Sequence, residues 1–461
     1  MAGDAVTAAP READLADIQG LVYSGFADHP SAGYVFARLG TDAARSRTWL
    51  ADLRTRVTTA VREQRPPHGR LQVALAPTGL AALGVPPAVL DAFPQETKLG
   101  MPARARILGD DDPATWQLGH ADAPIDALVL VFARDEATRR EMIDRERGAL
   151  EAAGAHVYPD ELAWPMEGRE HFGFADGLSQ PFVPGPFPEP RHDQDRVATG
   201  EILLGYPNAY GKLPQAPRWG DVDLGRNGSY LVFRKLAQDV ARFWGWLDER
   251  ARALEPRDRD AAAALREQLA AKLVGRWRSG APLVLTPDRD DPALATPQRR
   301  NAFGYLTHDP DGLRCPIASH VRRANPRDAR GGSAQDSHDV VSHHRIVRRG
   351  RSYGAPLPDE AARAGKDDGV PRGLYFISLQ ASIARGFEFI QQTWLTNPGF
   401  HGLHGEPDPI MGNGDGTSHV TIPASPLRLR LGNVPSVVTV LGGGYFFLPS
   451  LTALARFARG S

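Results

Sequence analysis

The chain has very few cysteines and lysines for its length. Its 461 residues include one cysteine, Cys315, and only five lysines among 54 basic residues. A single cysteine excludes an intramolecular disulfide framework and any motif that attaches a cofactor through two cysteines. Because nearly all the positive charge is arginine, one arginine in a motif is weak evidence of function by itself.

A charge imbalance and long apolar runs are also absent. With 54 basic and 55 acidic residues, the composition gives no general electrostatic basis for binding nucleic acid or a membrane surface. No run of 18 apolar residues predicts a transmembrane helix, and the first 20 residues are polar and acidic, unlike a secretory signal. We therefore expect a cytoplasmic protein without nucleic-acid or membrane partners, whose oligomeric state the sequence does not indicate.

Hydrophobic periodicity divides the chain into two similar halves. In the first half it predicts strands at residues 34–39, 71–76, 125–133 and 155–158, and helices at 41–61 and 135–153. In the second half it predicts strands at 229–236, 373–380 and 437–448, and helices at 239–254, 260–274 and 382–395. Paired β-α-β units of this kind indicate an α+β fold with two ferredoxin-like domains. A Gly- and Pro-rich region at residues 184–219 places the boundary between domains 1–200 and 201–461.

The stretch CPIASHVRRANPRD at residues 315–328 contains the first candidate site residue, His320. A neutral imidazole is a common axial ligand of haem iron, and the haem propionates require cationic or N–H partners nearby. Arg322, Arg323 and Arg327 are candidates for that second role. A histidine in a basic surface loop remains the alternative interpretation of this stretch.

The segment GFADG at residues 173–177 contains the second candidate, Asp176. An Asp-Gly pair usually indicates only a turn. Here apolar side chains surround the carboxylate, which makes Asp176 a candidate proton acceptor in a partly dry pocket. These neighbours are Phe172, Phe174, Leu178 and Phe182.

The third stretch, HRIVRRG at residues 344–350, contains Arg348. If the segment is extended, side-chain alternation places Ile346 and Arg348 on one face, and Val347 and Arg349 on the other. One arginine then points inward while its neighbour stays solvated. The same sequence is also typical of an ordinary surface segment.

The segments GFADG, CPIASHVRRANPR and RIVRRGRSYG, in this order and at these separations, resemble the dye-decolourising (DyP-type) haem peroxidases. The likeness extends from DIQG at residues 17–20 to GGYFF at residues 443–447, and is greatest to the longer bacterial and fungal subgroup. It implies two ferredoxin-like domains, with haem bound in the second domain at the domain junction.

The resemblance also implies site residues. His320 would be the proximal ligand of one non-covalently bound haem b per chain, with Asp176 and Arg348 on the distal, peroxide-binding side. Further positions that match haem-contacting positions, or that suit the wall of the distal pocket, are Gly177, Leu178, Ser179, Asn325, Pro326, Arg327, Leu374 and Phe376. The expected acidic partner of His320 is Glu388, Asp408 or Asp415. We expect His343 and His344 to be solvated loop residues.

The function implied by the resemblance is that of an oxidoreductase. It would reduce hydrogen peroxide through a ferryl intermediate and oxidise bulky aromatic donors such as dyes and phenolics. Two alternatives remain open. A haem-handling or iron-releasing protein on the same fold would need His320 but not Asp176 and Arg348 together, and a thiolate-haem monooxygenase would use Cys315 as its iron ligand.

Overall fold

A computed structural model describes residues 9–62, 67–185, 195–412 and 416–460 of the chain. The strands of the first half are β1 Ser31–Arg38, β2 Gly69–Leu75, β3 Ala127–Ala133, β4 His156–Val157 and β5 Glu161–Leu162. Its helices are α1 Glu12–Leu15, α2 Ala43–Arg54, α3 Pro77–Ala82, α4 Pro87–Leu90, α5 Gln95–Leu108 and α6 Glu136–Ala152.

The second half is longer and contains more short elements. Its strands are β6 Arg218–Trp219, β7 Val222–Asp223, β8 Ser229–Gln238, β9 Val347–Arg348, β10 Arg351–Tyr353, β11 Gly373–Gln380, β12 His419–Ile422, β13 Leu429–Gly432 and β14 Val438–Leu448. Its helices are α7 Val240–Leu254, α8 Arg259–Val274, α9 Tyr305–His308, α10 His320–Ala324, α11 Ala334–Ser342, α12 Asp359–Arg363 and α13 Leu451–Arg459.

The two halves have the same strand order. In the first half the antiparallel order is β2-β3-β1-β4, and in the second it is β10-β11-β8-β14. Counted in chain order within each sheet, the first strand (β1 or β8) lies between the third (β3 or β11) and the fourth (β4 or β14). This is the ferredoxin-like arrangement predicted from the sequence. Strand β14 pairs with β2 at Phe447 and Leu75, so the two sheets are continuous.

Strand β3 shows why the central strands are apolar throughout. All seven of its residues are buried, because both faces of the sheet are covered. Val129 and Val131 face a core that contains the helices α2, α5, α6 and α13, whereas Leu128 and Leu130 face a second core. This second core contains side chains from the sheets of both halves, so the fold has one shared interior.

Aromatic rings connect the two halves in the shared core. The ring of Phe233 on β8 lies 4.9 Å from Phe36 and 5.5 Å from Tyr34, both on β1. Tyr375 on β11 lies 5.2 Å from Tyr34. Edge-to-face contacts at these distances stabilise a core beyond the burial of area alone.

Local signals predicted some element ends correctly and others poorly. Helix α6 begins after Asp135, whose side chain accepts a hydrogen bond from the Thr138 N–H, close to the predicted start. The helix expected at 41–61 ends at Arg54, and the helix expected at 382–395 contains π-type turns at Ala384–Glu388 and Ile390–Leu395. Helices α5 and α13 were not predicted.

The proposed boundary region is only partly described, since residues 186–194 lie outside the described ranges. The division at residue 200 therefore stays a prediction. Within the described ranges, no helix is both long enough and apolar enough to cross a membrane.

Gln19 links strand β2 of the first sheet to the residue that directly follows β14 of the second sheet. Its buried amide donates to the carbonyls of Val73 and Pro449, at 2.8 Å each, and accepts from the Val73 N–H at 2.9 Å. We predict that Gln19→Leu lowers the free energy of unfolding by roughly 2–4 kcal/mol, since each buried group left unpaired costs about 1–3 kcal/mol. Urea denaturation measures this change. The exposed Gln298→Ala is the control, and equal stability of the two variants would contradict the prediction.

Candidate active site

A cavity of about 980 Å³ lies where the two halves meet. This volume is at the upper end of the range of about 300–1,000 Å³ that is usual for ligand sites. Alternate residues of β8 and β11 line it, including Leu236, Leu374 and Phe376. Phe233, next to Arg234 on β8, and Tyr375, between Leu374 and Phe376 on β11, belong to the shared core. Because successive strand residues point to opposite faces, the cavity lies on the other face of the second sheet.

His320 is the first residue of α10 and lies on one wall of the cavity. Its Nδ1 is 3.0 and 3.1 Å from the two carboxylate oxygens of Asp408. Asp408 is fully buried and accepts backbone N–H groups from Ile410 and Met411. A carboxylate in this position holds the proton on Nδ1, and Nε2 has no protein partner in the described chain, so it is available as a ligand.

The charge of Asp408 is stabilised by its surroundings. Burial acts to raise its pKa, but His320, Arg323 and the Met411 N–H together hold the pKa below its usual value. Asp408 therefore remains an anion next to the imidazole at physiological pH.

Of the three acids considered as partners of His320, the structure selects Asp408. Glu388 instead forms a two-point ion pair with Arg104, at 2.7 and 2.9 Å, and accepts the Tyr445 hydroxyl. Asp415 lies outside the described residues.

Asp176 also lines the cavity, in the loop predicted to carry it. Its backbone N–H donates to the Gly168 carbonyl at 3.0 Å, and its carboxylate accepts the Gly177 N–H at 2.6 Å. Gly177 has φ +72°, a left-handed conformation that glycine adopts without strain.

Arg348 is held against the same loop. Its guanidinium donates to the Leu178 carbonyl at 2.5 Å. Its backbone N–H donates to the Gln180 side chain at 3.1 Å, and the Gln180 amide donates back to the Arg348 carbonyl at 3.2 Å. A segment of the first half and strand β9 of the second half thus bring Asp176 and Arg348 to one cavity.

The other sequence-predicted residues divide into two groups. Those on the cavity lining are Gly177, Leu178, Ser179, Asn325, Leu374 and Phe376. Pro326 and Arg327 are not part of the lining. The Arg327 guanidinium instead donates to the carbonyls of Asn301 and Phe303 and to the Asn301 side chain.

The expectation that Arg322 and Arg323 bind anionic groups at the site is wrong. Arg322 is buried against Asp309 and the Cys315 carbonyl. Arg323 donates to four backbone carbonyls, those of Trp394, Leu395, Asn397 and Glu406. Both guanidinium groups therefore support the fold behind the His320 wall.

Several cavity-lining arginines were not predicted. In addition to Arg348, the arginines on the cavity lining are Arg234, Arg276, Arg300, Arg345, Arg349 and Arg351. One arginine of the third stretch was expected to point inward and its neighbour to stay solvated, but Arg349 lines the cavity as Arg348 does. It donates to the carbonyls of Leu21 and Val22, and burial lowers its pKa to about 10. The segment Gly275-Arg276-Trp277 is part of the resemblance to the family, but nothing in the local sequence indicates where the Arg276 side chain points.

Arg276 is the strongest candidate to bind an anionic group. It is buried, and its hydrogen bonds go to neutral oxygens of Ser179, Gly280, Arg300 and Asn301. Burial and the nearby Arg327 lower its pKa to about 9. A cation in such surroundings is stabilised by an added carboxylate.

The expectation of solvated histidines at 343 and 344 is also wrong. His344 lines the cavity, stacks on Phe389 at 3.6 Å and hydrogen-bonds the Arg385 carbonyl at 2.6 Å. His343 stacks on Tyr210 at 3.7 Å. Burial lowers the pKa of both imidazoles.

These residues fit a haem. Within the described ranges, no group of three or more His, Cys, Asp or Glu side chains is placed to hold a metal ion, so a single histidine suits a metal already held by a porphyrin. Apolar walls and arginines suit the ring and its propionates. Cys315 is buried outside the cavity lining, which argues against a thiolate ligand.

Comparison with known proteins gives a consistent result, although no family model matches the chain. It is 32% identical over 467 residues to dye-decolorizing peroxidase AauDyP1 of Auricularia auricula-judae, covering 95% of this chain and 86% of that protein. It is 33% identical over 464 residues to a dye-decolorizing peroxidase of Exidia glandulosa, with coverage of 95% and 86%. It is 30% identical over 466 residues to the multifunctional dye peroxidase DyP2 of an Amycolatopsis species, with coverage of 96% and 93%.

Solved structures agree. A decolorizing peroxidase from Auricularia auricula-judae matches with a TM-score of 0.82 and 29% identity, covering 96% of this chain and 99% of that one. A dye-decolorizing peroxidase in complex with 2,6-dimethoxyphenol matches with a TM-score of 0.81 and 29% identity, also over 96% and 99%.

We predict that Asp408→Asn weakens haem retention about 10- to 100-fold, the usual effect of removing the partner of a metal-bound histidine. It should also raise the reduction potential, because a less anionic imidazole stabilises ferric iron less. Haem transfer to apomyoglobin and redox titration measure these effects. The exposed Asp288→Asn is the control, and an unchanged potential in Asp408→Asn would contradict the prediction.

Proposed function

The chain belongs to the dye-decolourising peroxidase family, and from that membership we propose that it uses haem b, hydrogen peroxide and aromatic donors such as phenols and dyes. The observation that carries this proposal is the arrangement of one cavity. His320, whose Nδ1 contacts Asp408, lines the same cavity as Asp176 and Arg348. Relatives named as dye peroxidases, and one solved with a bound phenol, support the same substrate classes.

We propose that the haem is held non-covalently, one per chain. His320 would hold its iron through Nε2, and Leu374 and Phe376 would pack against the ring. Arg276 and Arg345 would bind its propionates. When bound, the haem would supply the redox-active iron at which peroxide is reduced and which then oxidises aromatic donors one electron at a time.

Asp176 would move the proton of the peroxide. Its carboxylate would accept one proton from the peroxide and return that proton to the oxygen that leaves as water. Arg348 would stabilise the negative charge that develops on the leaving oxygen. A guanidinium is suited to this role because its planar group presents several N–H donors together with a positive charge.

The proposed domains, 1–200 and 201–461, divide these roles. The first would contribute Asp176, and the second His320 and Arg348. A haem-handling function is less well supported, because it does not require Asp176 and Arg348 to share the cavity with His320.

We predict that His320→Ala purifies with much less haem but keeps its fold. The cofactor loses its one coordinate bond while the apolar walls remain. Haem content, the ferric absorption spectrum and thermal unfolding measure these effects, with the exposed His404→Ala as control. Full haem content with an unchanged ferric spectrum would show that His320 is not the ligand.

We also predict that Arg348→Leu slows the first peroxide-dependent spectral change more than Asp176→Asn does. Loss of a charge that stabilises the transition state typically costs about 10²- to 10³-fold, whereas a water molecule can partly replace a proton carrier. Stopped-flow absorption at one pH over a range of peroxide concentrations ranks the two variants. The exposed Arg289→Leu should match the wild type, and the reverse ranking would mean that proton transfer limits the reaction.

A further inference from the structure

A second carboxylate, that of Glu170, lines the same cavity as Asp176. One of its oxygens accepts the Phe174 N–H at 2.9 Å, and the other accepts the Phe172 N–H at 2.9 Å. The second oxygen also accepts the side-chain amide of Gln238, at the end of β8, at 2.8 Å. Glu170 thus joins the loop that precedes Asp176 to a strand of the second half.

The same loop is held by backbone and aromatic contacts. The Glu170 N–H donates to the Phe174 carbonyl, and the Gly173 N–H donates to the Glu170 carbonyl. Phe174 stacks on Trp244 of α7, whose indole N–H donates to the Phe172 carbonyl. These contacts fix the loop on its α7 side, whereas the Glu170 carboxylate fixes it from the cavity side.

We propose that Glu170 is a positioning residue for Asp176. By accepting the N–H groups of residues 172 and 174, its carboxylate fixes the backbone two residues before Asp176 and so fixes where that side chain enters the cavity. This inference rests on the proposed role of Asp176 as proton carrier.

The pH dependence of this contact has a definite sign. Burial, with a smaller contribution from the Asp176 carboxylate, raises the pKa of Glu170 to about 6 against the effect of its three hydrogen bonds. Among the described residues, Arg278, from the segment after α8, is a second charged group that interacts with the Glu170 carboxylate. Strand β8 contributes only the neutral Gln238. Above about pH 6 both oxygens accept hydrogen bonds, whereas below it a proton on one oxygen opposes a backbone N–H.

The test compares Glu170→Gln with Glu167→Gln, an exposed acid of the same segment. In Glu170→Gln an amide NH₂ replaces one acceptor. We expect it to slow the first peroxide-dependent spectral change above pH 6 by about 10-fold or more, within the roughly 100-fold that a displacement of about 1 Å can cost. The ratio of wild-type to variant rates should fall towards one below pH 6. Glu167→Gln should match the wild type at every pH.

A double-mutant cycle with Asp176→Asn separates positioning from general destabilisation. If Glu170 acts through Asp176, Glu170→Gln should have little further effect in the Asp176→Asn background. A full additional slowing there, or a pH-independent ratio, would overturn the inference. If Asp176→Asn itself reacts at the wild-type rate, the proposed role of Asp176 is wrong instead.

A second variant covers the case in which Glu170→Gln does not fold. Gln238→Leu removes only one of the three hydrogen bonds to the carboxylate. It should slow the same step by a smaller factor, again with no further effect in the Asp176→Asn background. Wild-type rates in Gln238→Leu together with an unfolded Glu170→Gln would assign Glu170 to folding alone and overturn the inference.

Discussion

The site depends on the packing of two aromatic sheet faces, one from each half of the chain. Phe36 and Tyr34 of the first half contact Phe233 and Tyr375 of the second within one shared core. This contact fixes the relative position of the two sheets. Because strand residues alternate between faces, it also directs the neighbouring residues of β8 and β11 to the cavity on the other side.

The scarcity of lysine has a structural counterpart in the buried arginines. Arg323 binds four backbone carbonyls at once, and Arg349 binds the carbonyls of Leu21 and Val22. A planar guanidinium presents several donors in a fixed geometry, whereas an ammonium group acts as a compact point charge. Irregular segments leave many carbonyls without β-ladder or helix partners, and arginine satisfies them in groups.

Two buried carboxylates, those of Asp408 and Glu170, have pKa values shifted in opposite directions because their surroundings differ. Asp408 lies beside His320 and Arg323, which hold its pKa below the usual value. Among the described residues, no cation is in hydrogen-bond contact with Glu170, and burial raises its pKa to about 6. The first is thereby kept anionic next to His320, the proposed iron ligand, whereas the second has a raised pKa.

Much of the fold follows from the sequence alone, and the sequence also predicts the central site residues. Periodicity predicts the two ferredoxin-like halves, because a strand buried on both faces must be apolar throughout and an amphipathic helix must repeat its apolar residues. The three motifs together predict His320, Asp176 and Arg348 as site residues through their resemblance to one family, although each motif alone also fits an ordinary turn or surface segment. The N-terminal cap at Asp135 is also a local signal.

Only the tertiary structure decides which side chains meet. His320 and Asp408 are 88 residues apart, so their spacing in the sequence does not favour Asp408 over Glu388 as the partner of His320. The choice follows only from the structure, in which Glu388 is paired with Arg104. Likewise, loop residues have no periodicity that directs their side chains. The sequence therefore could not show that Arg323 turns away from the cavity while Arg276 lines it, because that direction is set by which distant carbonyls the fold leaves unpaired.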